Sequence, residues 1–406
     1  MDISTRIINK RFGKDDAYGA IAMPVYSNSA FEFDSAEAME DAFMGRSGEH
    51  TYSRISNPTV TFFEQRVAEA SGAKWVTATA SGMAAIADTF VVAARAGANI
   101  VTGTHLFGNT FSLFMITLRD FGVEARFCDM TNPEEVSAAI DENTCAVFAE
   151  LITNPHMEVA DVEKLAAAAH TKNVPMIVDS TVVPWTVCKT GALGADIEVV
   201  SSTKYISGGA TGIGGLILDH GTFDWSKSIK LKSLSEKFGQ MAFSAKLRNE
   251  VFRNLGACMS PQTAAMQCLG LETLDLRYRR ASAGASELAV FLQTLQGVKN
   301  VNYNGLPDNP YYEISRRQFG ENPGAMLTFA LRDRAECYAF MNRLQIIRRA
   351  TNLFDNKSLI IHPLSTIYGP LSDEYKALVE VPDDMMRLSV GLEDVEDLKK
   401  DLAQAM

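Results

Sequence analysis

Lys204 stands alone after an apolar, strand-like run, Ile197-Glu198-Val199-Val200, within Ser201-Ser202-Thr203-Lys204-Tyr205; a glycine-rich stretch from Ser207 to Gly215 follows at once. A lysine among small hydroxyl residues suits an amine that condenses with an aldehyde cofactor. Partial desolvation beside other cationic charge lowers such an amine's pKa, which lets it move protons as well. Asp179 ends a second apolar run, Val174-Pro175-Met176-Ile177-Val178. A carboxylate there keeps a pyridine nitrogen protonated, so that the ring accepts electrons from a substrate carbanion. Together the two residues point to an enzyme that uses pyridoxal phosphate. The plainer alternatives are a structural surface lysine and, for Asp179, a cap for the turn Ser180 to Pro184. The apolar run before Lys204 and the hydroxyls of Ser201 and Thr203 argue against the first.

Ser81-Gly82-Met83 follows the run Trp75 to Ala80 and opens a helical period from Met83 to Ala94. Strand, small-residue turn and helix N-terminus make an anion site, because free backbone N–H groups and the helix dipole both favour a phosphate. Alone, Ser81 reads as an ordinary N-cap; beside Lys204 and Asp179 the phosphate reading is the stronger. Arg387, in Met386-Arg387-Leu388-Ser389-Val390, has the fork geometry to hold an amino-acid carboxylate bidentately, although a lone strand arginine is more often a surface ion-pair partner. Gly209-Ala210-Thr211-Gly212-Ile213-Gly214 superficially matches a dinucleotide fingerprint. It leads into the strand-like Leu216-Ile217-Leu218 rather than a helix, so a nicotinamide oxidoreductase is the minor reading.

Positioning these residues requires alternating elements. Strand-like runs lie at Trp75 to Thr77, Asn99 to Val101, Val123 to Cys128, Cys145 to Leu151, Val174 to Val178, Ile197 to Val200 and Leu216 to Leu218. Helical periods at Met83 to Ala94, Phe111 to Arg119, Pro133 to Ile140 and Val162 to His170 separate them. This is the pattern of an α/β fold, a mostly parallel sheet covered on both faces, with its site outside the carboxyl ends of the strands. Residues 1–55 lack the rhythm and read as an arm for a neighbouring subunit, with a helix near Ser35 to Met44. Residues 56–256 form the large domain and 257–406 a smaller α/β domain with strands at Ala325 to Leu331 and Arg387 to Val390 and a closing helix from Val395. A long helical stretch is expected over Ala242 to Arg280, and a polar, solvated insertion over Gly221 to Gln240.

With 406 residues and 47% hydrophobic content, the chain can bury two sizeable cores. A net charge of −11 argues against a nucleic-acid footprint. Lys227, Lys230, Lys232 and Lys237 are the one basic cluster. Six scattered cysteines without a Cys-x-x-Cys pair suggest reduced thiols, and the dispersed histidines form no metal set. No signal core or spanning run is evident, which predicts a soluble, cytoplasmic protein without membrane contact.

Thr51-Tyr52-Ser53-Arg54-Ile55-Ser56-Asn57-Pro58-Thr59, Ala80-Ser81-Gly82-Met83-Ala84, Val178-Asp179-Ser180-Thr181, Ser201 to Tyr205 and Arg387-Leu388-Ser389-Val390-Gly391-Leu392-Glu393 occur in that order. They resemble the pyridoxal-phosphate enzymes of cysteine and methionine metabolism: cystathionine synthases and lyases, methionine γ-lyase and O-acetylhomoserine sulfhydrylase. The resemblance spans nearly the whole chain. It implies pyridoxal-phosphate fold type I (aspartate-aminotransferase-like), active dimers and a homotetramer of two such dimers. It implies that Tyr52 and Arg54 reach the phosphate of the neighbouring subunit, that Gly82 and Met83 offer amides and Ser201 and Thr203 hydroxyls to it, and that Asn154 sits near the ring hydroxyl. Tyr52 and Asn352, with Arg387, are the expected substrate contacts.

Three features are similar to the sulfhydrylases: His220 to Trp225 with its insertion, Ala242 to Arg248 leading into Arg253 to Ala257, and Thr351-Asn352-Leu353 before Lys357 to Pro363. Tyr52 to Asn57 and the closing Gly391 to Asp394 look lyase-like. One departure bears on chemistry: Phe107 stands where most of the family has a tyrosine stacked on the ring, and Asn109 where methionine γ-lyase has a cysteine. The expected activity is homocysteine formation from O-acetylhomoserine and sulfide. The alternative is γ-elimination by a methionine or cystathionine lyase. A small sulfur-carrier protein is a candidate partner at the 221–240 insertion.

Overall fold

Seven of the apolar runs pair into one sheet in the computed structural model, which describes residues 2–12, 16 and 18–406. They are β1 (Trp75–Thr79), β2 (Asn99–Thr102), β3 (Glu124–Phe127), β4 (Thr144–Glu150), β5 (Met176–Asp179), β6 (Ile197–Val200) and β7 (Gly215–Asp219), ordered β1-β7-β6-β5-β4-β2-β3. Neighbours from β6 to β3 run parallel, while β7 is antiparallel to both β6 and β1. The reversal has a local cause. A parallel return needs a crossover, usually a helix, and between β6 and β7 the chain makes only a short helical turn, Tyr205–Ser207. The turn that denies β7 a parallel place is the one that carries Lys204.

Both faces of the sheet are covered. Val178, Leu216 and Leu218 join a core with Val67, Leu165 and Leu271. Ile177 and Ile217, pointing oppositely along the same strands, join Ile86, Phe90 and Phe148. The helices are α1 (Ile3–Asn9), α2 (Ala36–Phe43), α3 (Pro58–Ser71) and α4 (Gly82–Ala93), followed by those between the later strands. Asn57 caps α3 and Pro58 takes its first position; Gly72, in the left-handed conformation at φ 82°, ends it.

A second sheet holds β8 (Lys299–Asn302), β9 (Met326–Ala330), β10 (Arg348–Arg349), β11 (Leu359–Ile361) and β12 (Met385–Ser389), in the order β10-β11-β12-β9-β8. Helices Leu274–Thr294 and Arg334–Arg343 pack on it, and Val395–Ala405 packs on those two helices. The expected α/β architecture is therefore present in both regions.

Three expectations need correction. The stretch Ala242 to Arg280 is not one helix. It runs to Leu255 through a π-helical segment, Leu247–Phe252, stops at Gly256 (φ 74°), and restarts at Pro261–Glu272 behind the Ser260 cap. The 1–55 region is not all arm. Ile7 on α1 is buried, and Arg66 of α3 donates to its carbonyl at 2.8 and 3.1 Å; residues 1, 13–15 and 17 lie outside the described residues. The 221–240 insertion is anchored by buried Phe223, Trp225 and Leu231, with Trp225 stacked on Phe243 at 5.2 Å. Only Lys227, Lys232 and Lys237 of its lysines are exposed, while Lys230 donates to the Ala94 carbonyl at 2.7 Å beyond the end of α4. No helix among the described residues is long and apolar enough to cross a membrane.

Candidate active site

The carboxyl ends of β4, β5 and β6, the N-terminus of α4 and the loop between β10 and β11 of the second sheet enclose a cavity of about 640 Å³. Asp179 is the last residue of β5, and its register partner Glu150 the last of β4. Ser201 leaves β6, and Lys204 sits three residues on. At the start of α4, the Ser81 hydroxyl accepts from the Ala84 amide at 3.1 Å and its carbonyl from Ala85 at 3.0 Å. The Gly82 and Met83 amides, at the first turn of a 12-residue helix, have no intrahelical acceptor and remain for an anion. Glycine is required at 82, because a Cβ there would lie 2.6 Å from Cβ of Ser201.

The Lys204 amine donates to Oδ1 of Asn352 at 2.8 Å. Its pKa is lowered to about 8, by burial first and by the nearby Arg387 charge second, while Asp179 and Asp355 pull the other way. Burial also raises Asp179, to about 6, against a bond from the Thr181 amide at 2.9 Å. Glu150 is pushed well above the carboxylate range, by burial first and by the Asp179 charge second. It nevertheless accepts from the Phe107 amide at 2.6 Å and the Asn154 amide at 3.4 Å.

Arg387 is fully buried. It donates to Oδ1 of Asn154 at 3.0 Å and to the Thr351 and Asn352 carbonyls at 3.3 and 3.2 Å, while its Nε has no partner among the described residues. Burial draws its pKa down to about 10. That orphaned buried N–H is the kind of group a substrate carboxylate satisfies.

Ser81, Gly82, Met83, Phe107, Asn154, Asp179, Ser201, Thr203, Lys204 and Asn352 all line the one cavity. Arg387 stands directly behind Asn154 and Asn352. The Thr203 hydroxyl is engaged with Gly214, donating to its carbonyl at 3.1 Å and accepting from its amide at 3.0 Å. Tyr52 and Arg54 are not brought there. They border a separate surface recess with Phe31, Met39 and Arg253, the Arg54 guanidinium 5.5 Å from the Tyr52 ring centre. Glu150 is the residue that sequence reasoning missed. Its signal was the one that marked Asp179, a carboxylate closing an otherwise apolar strand.

These groups fit pyridoxal phosphate. A helix start with two free amides and the Ser201 hydroxyl suit its phosphate. A buried carboxylate with a raised pKa suits its ring nitrogen, and a buried lysine its aldehyde. Phe107 offers an aromatic face.

Comparison with known proteins agrees with that fit. The model of the Cys/Met metabolism PLP-dependent enzyme family matches residues 4–406. The chain is similar to O-acetyl-L-homoserine sulfhydrylase 1 of Thermus thermophilus, 38% identical over 95% of this chain and 94% of that one. Among solved structures it is similar to an O-acetylhomoserine sulfhydrylase of Wolinella succinogenes (TM-score 0.77, 45% identity, 87% of this chain and 99% of that one). It is also similar to a protein of Campylobacter jejuni that carries a pyridoxyl-lysine phosphate (TM-score 0.92, 31% identity, 100% and 99%).

Proposed function

The chain belongs to the Cys/Met-metabolism enzymes that depend on pyridoxal phosphate, and from that membership we propose that it is an O-acetylhomoserine sulfhydrylase, forming homocysteine and acetate from O-acetylhomoserine and sulfide. One observation carries the proposal: a buried lysine amine with a lowered pKa, held by Asn352, in a cavity whose aromatic wall is Phe107.

When bound, pyridoxal phosphate supplies the sink for the electron pair left at Cα once its proton is removed. The Lys204 amine would take the Cα proton and, once that proton has passed to the bound group and left the amine neutral again, take one from Cβ. An amine whose pKa lies near 8 is neutral often enough to accept protons near neutrality and basic enough to return them. Asp179 holds a proton at the ring nitrogen. Arg387, through its unpartnered Nε, orients the substrate carboxylate. The Cγ–O bond then breaks and acetate departs with the electron pair; sulfide forms the new C–S bond, and Lys204 gives back its protons.

Phe107 favours this substrate class. Acetate leaves as a stable carboxylate and needs little protonation, whereas the thiolate lost in thioether cleavage gains more from a positioned acid, which a phenyl ring cannot supply. The assembly in this reading is a cytoplasmic homotetramer of two active dimers. It is supported by the exposure of Val25, Tyr26, Phe43 and Met44 and by the separation of Tyr52 and Arg54 from their own chain's cavity. A small sulfur-carrier protein is a second sulfur source in the same reading, docking at the exposed lysines of 221–240; a pull-down that recovers none removes it.

The test is a product assay on cofactor-loaded protein, with O-acetylhomoserine plus sulfide in one tube and methionine in another. Homocysteine from the first with little 2-oxobutanoate from the second is expected. The opposite pattern makes the protein a γ-lyase.

A further inference from the structure

Phe354 is a buried aromatic residue in the left-handed conformation, at φ 56°. Bulky residues rarely adopt it, because Cβ crowds the backbone carbonyl. Such a conformation persists only where its surroundings over-determine it, and such sites cluster where geometry matters to function. Here two contacts hold it. The Phe354 amide donates to Oγ of Ser389 at 2.7 Å, and its ring lies flat on Tyr205, with centres 4.2 Å apart and planes 21° apart. Tyr205 is itself fixed from the other side, edge-on to Tyr278 at 4.8 Å.

Tyr205 follows Lys204 in the chain, and Asn352, which accepts from the Lys204 amine, lies two residues before Phe354. Asn356, two residues after it, donates to the Gly208 carbonyl at 2.8 Å. Alternate residues of one loop, 352, 354 and 356, therefore meet 204, 205 and 208 of the lysine turn. The loop belongs to the small domain, between β10 and β11, and the turn to the large one. Asp355 steadies the arrangement, accepting from the Asn352 side chain at 3.3 Å and from the Lys357 side chain at 3.0 Å.

We propose that Phe354 is a positioning residue: its ring, seated on Tyr205, fixes the small-domain loop so that Asn352 meets the Lys204 amine. The inference rests on Lys204 being the cofactor-bearing lysine and is independent of which group leaves or which sulfur donor arrives. Glycine at 354 would suit the backbone, so the residue present there gives up conformational ease for a flat face.

The experiment compares Phe354→Ala, Phe354→Gly and Phe354→Tyr in the full-length protein. In cofactor-free samples the readout is the rate at which an amine-acylating anhydride modifies Lys204, followed by peptide mass; in loaded samples it is kcat/KM. Both Ala and Gly remove the ring, but Gly alone relieves the backbone and so melts higher than Ala. The expected result is that both variants acylate Lys204 about threefold faster or more and lose about tenfold in kcat/KM, regardless of that difference in melting, while Phe354→Tyr restores both. Function that tracks melting temperature, or a Gly variant with wild-type acylation and kcat/KM, overturns the proposal. If the small variants do not fold, Phe354→Leu keeps bulk without a flat face and is read against the same two outcomes. Wild-type protein that shows no borohydride-bleached absorbance when loaded would instead overturn the assignment of Lys204.

Discussion

Replacing Lys204 by methionine should stabilise the cofactor-free protein near neutral pH, and the size of the effect should depend on pH in a direction the structure dictates. The buried amine has its pKa lowered from an ordinary 10.5 to about 8. Forcing it to stay protonated near pH 7 therefore costs the folded chain about 3 kcal/mol relative to the unfolded one. The folded state binds this proton less tightly, so between pH 8 and 10.5 the unfolded chain holds the extra proton, and wild-type stability rises with pH across that window. Methionine carries no proton and lacks the linkage. Its lost hydrogen bond to Asn352 and its altered packing are terms that do not change with pH.

The informative quantity is thus the change, from near pH 7 to about pH 9.5, in the stability difference between wild type and variant. The linkage sets it at about 2 kcal/mol in favour of the wild type. For a chain of 406 residues that corresponds to a relative shift of roughly 2 to 3 °C in melting temperature. The assay is thermal unfolding of both cofactor-free proteins at equal concentration in matched salt. A difference in melting temperature that is the same at both pH values would refute the reasoning: Lys204 would then keep an ordinary pKa in the folded protein, and its role as a neutral base would lose its physical ground.

Arg54→Ala should weaken cofactor retention by about tenfold or more, the worth of one charge-assisted contact, and mixing it with Lys204→Ala should restore turnover in hybrid dimers; no restoration counts against the cross-subunit assignment. Glu150→Gln should change kcat little near pH 7, since burial and the Asp179 charge both disfavour the ionised carboxyl. Glu150→Ala, by contrast, strands the Phe107 and Asn154 amides at a cost of about 1–3 kcal/mol, read as a lower melting temperature. Phe107→Tyr should raise methionine cleavage about tenfold or more relative to O-acetylhomoserine turnover, within the range a positioned acid supplies; an unchanged ratio in the product assay removes Phe107 as the discriminator.

Much of the site was legible because the chemistry coincides with breaks in local pattern. Lys204 and Asp179 interrupt or close apolar runs. Gly82 is small at a strand-to-helix turn, where Ser201 leaves no room for a side chain. The antiparallel direction of β7 has a sequence signal, the absence of a helical period between Val200 and Gly215, which the strand–helix rhythm before it masks. The breaks at Gly256 and Ser260-Pro261 were equally visible as terminator and start signals, and helical composition on either side hid them. Other features could not be read at all. Nothing in a phenylalanine's neighbours announces a left-handed backbone at 354. The pairing of Asn352 with Lys204 joins residues 148 positions apart, and only the packing of the two sheets' loops brings them together.

The buried charges of the cavity also explain a division of labour that side-chain types alone leave open. Glu150 and Asp179 close adjacent parallel strands as register partners, and the Asp179 charge raises the Glu150 pKa, so the two do not both ionise readily. Their surroundings break the tie. Asp179 has Lys204 nearby to favour its charge, whereas Glu150 has only backbone amides. Asp179 is therefore the member that ionises first and can keep a ring nitrogen protonated. Glu150, whose ionised form burial disfavours, serves as an acceptor that fixes the backbone of Phe107 and Asn154, the residues that the proposed function sets at the face and the hydroxyl edge of the same ring. In the proposed function one carboxyl would tune the ring and its neighbour align the walls around it, a separation of roles set by environment.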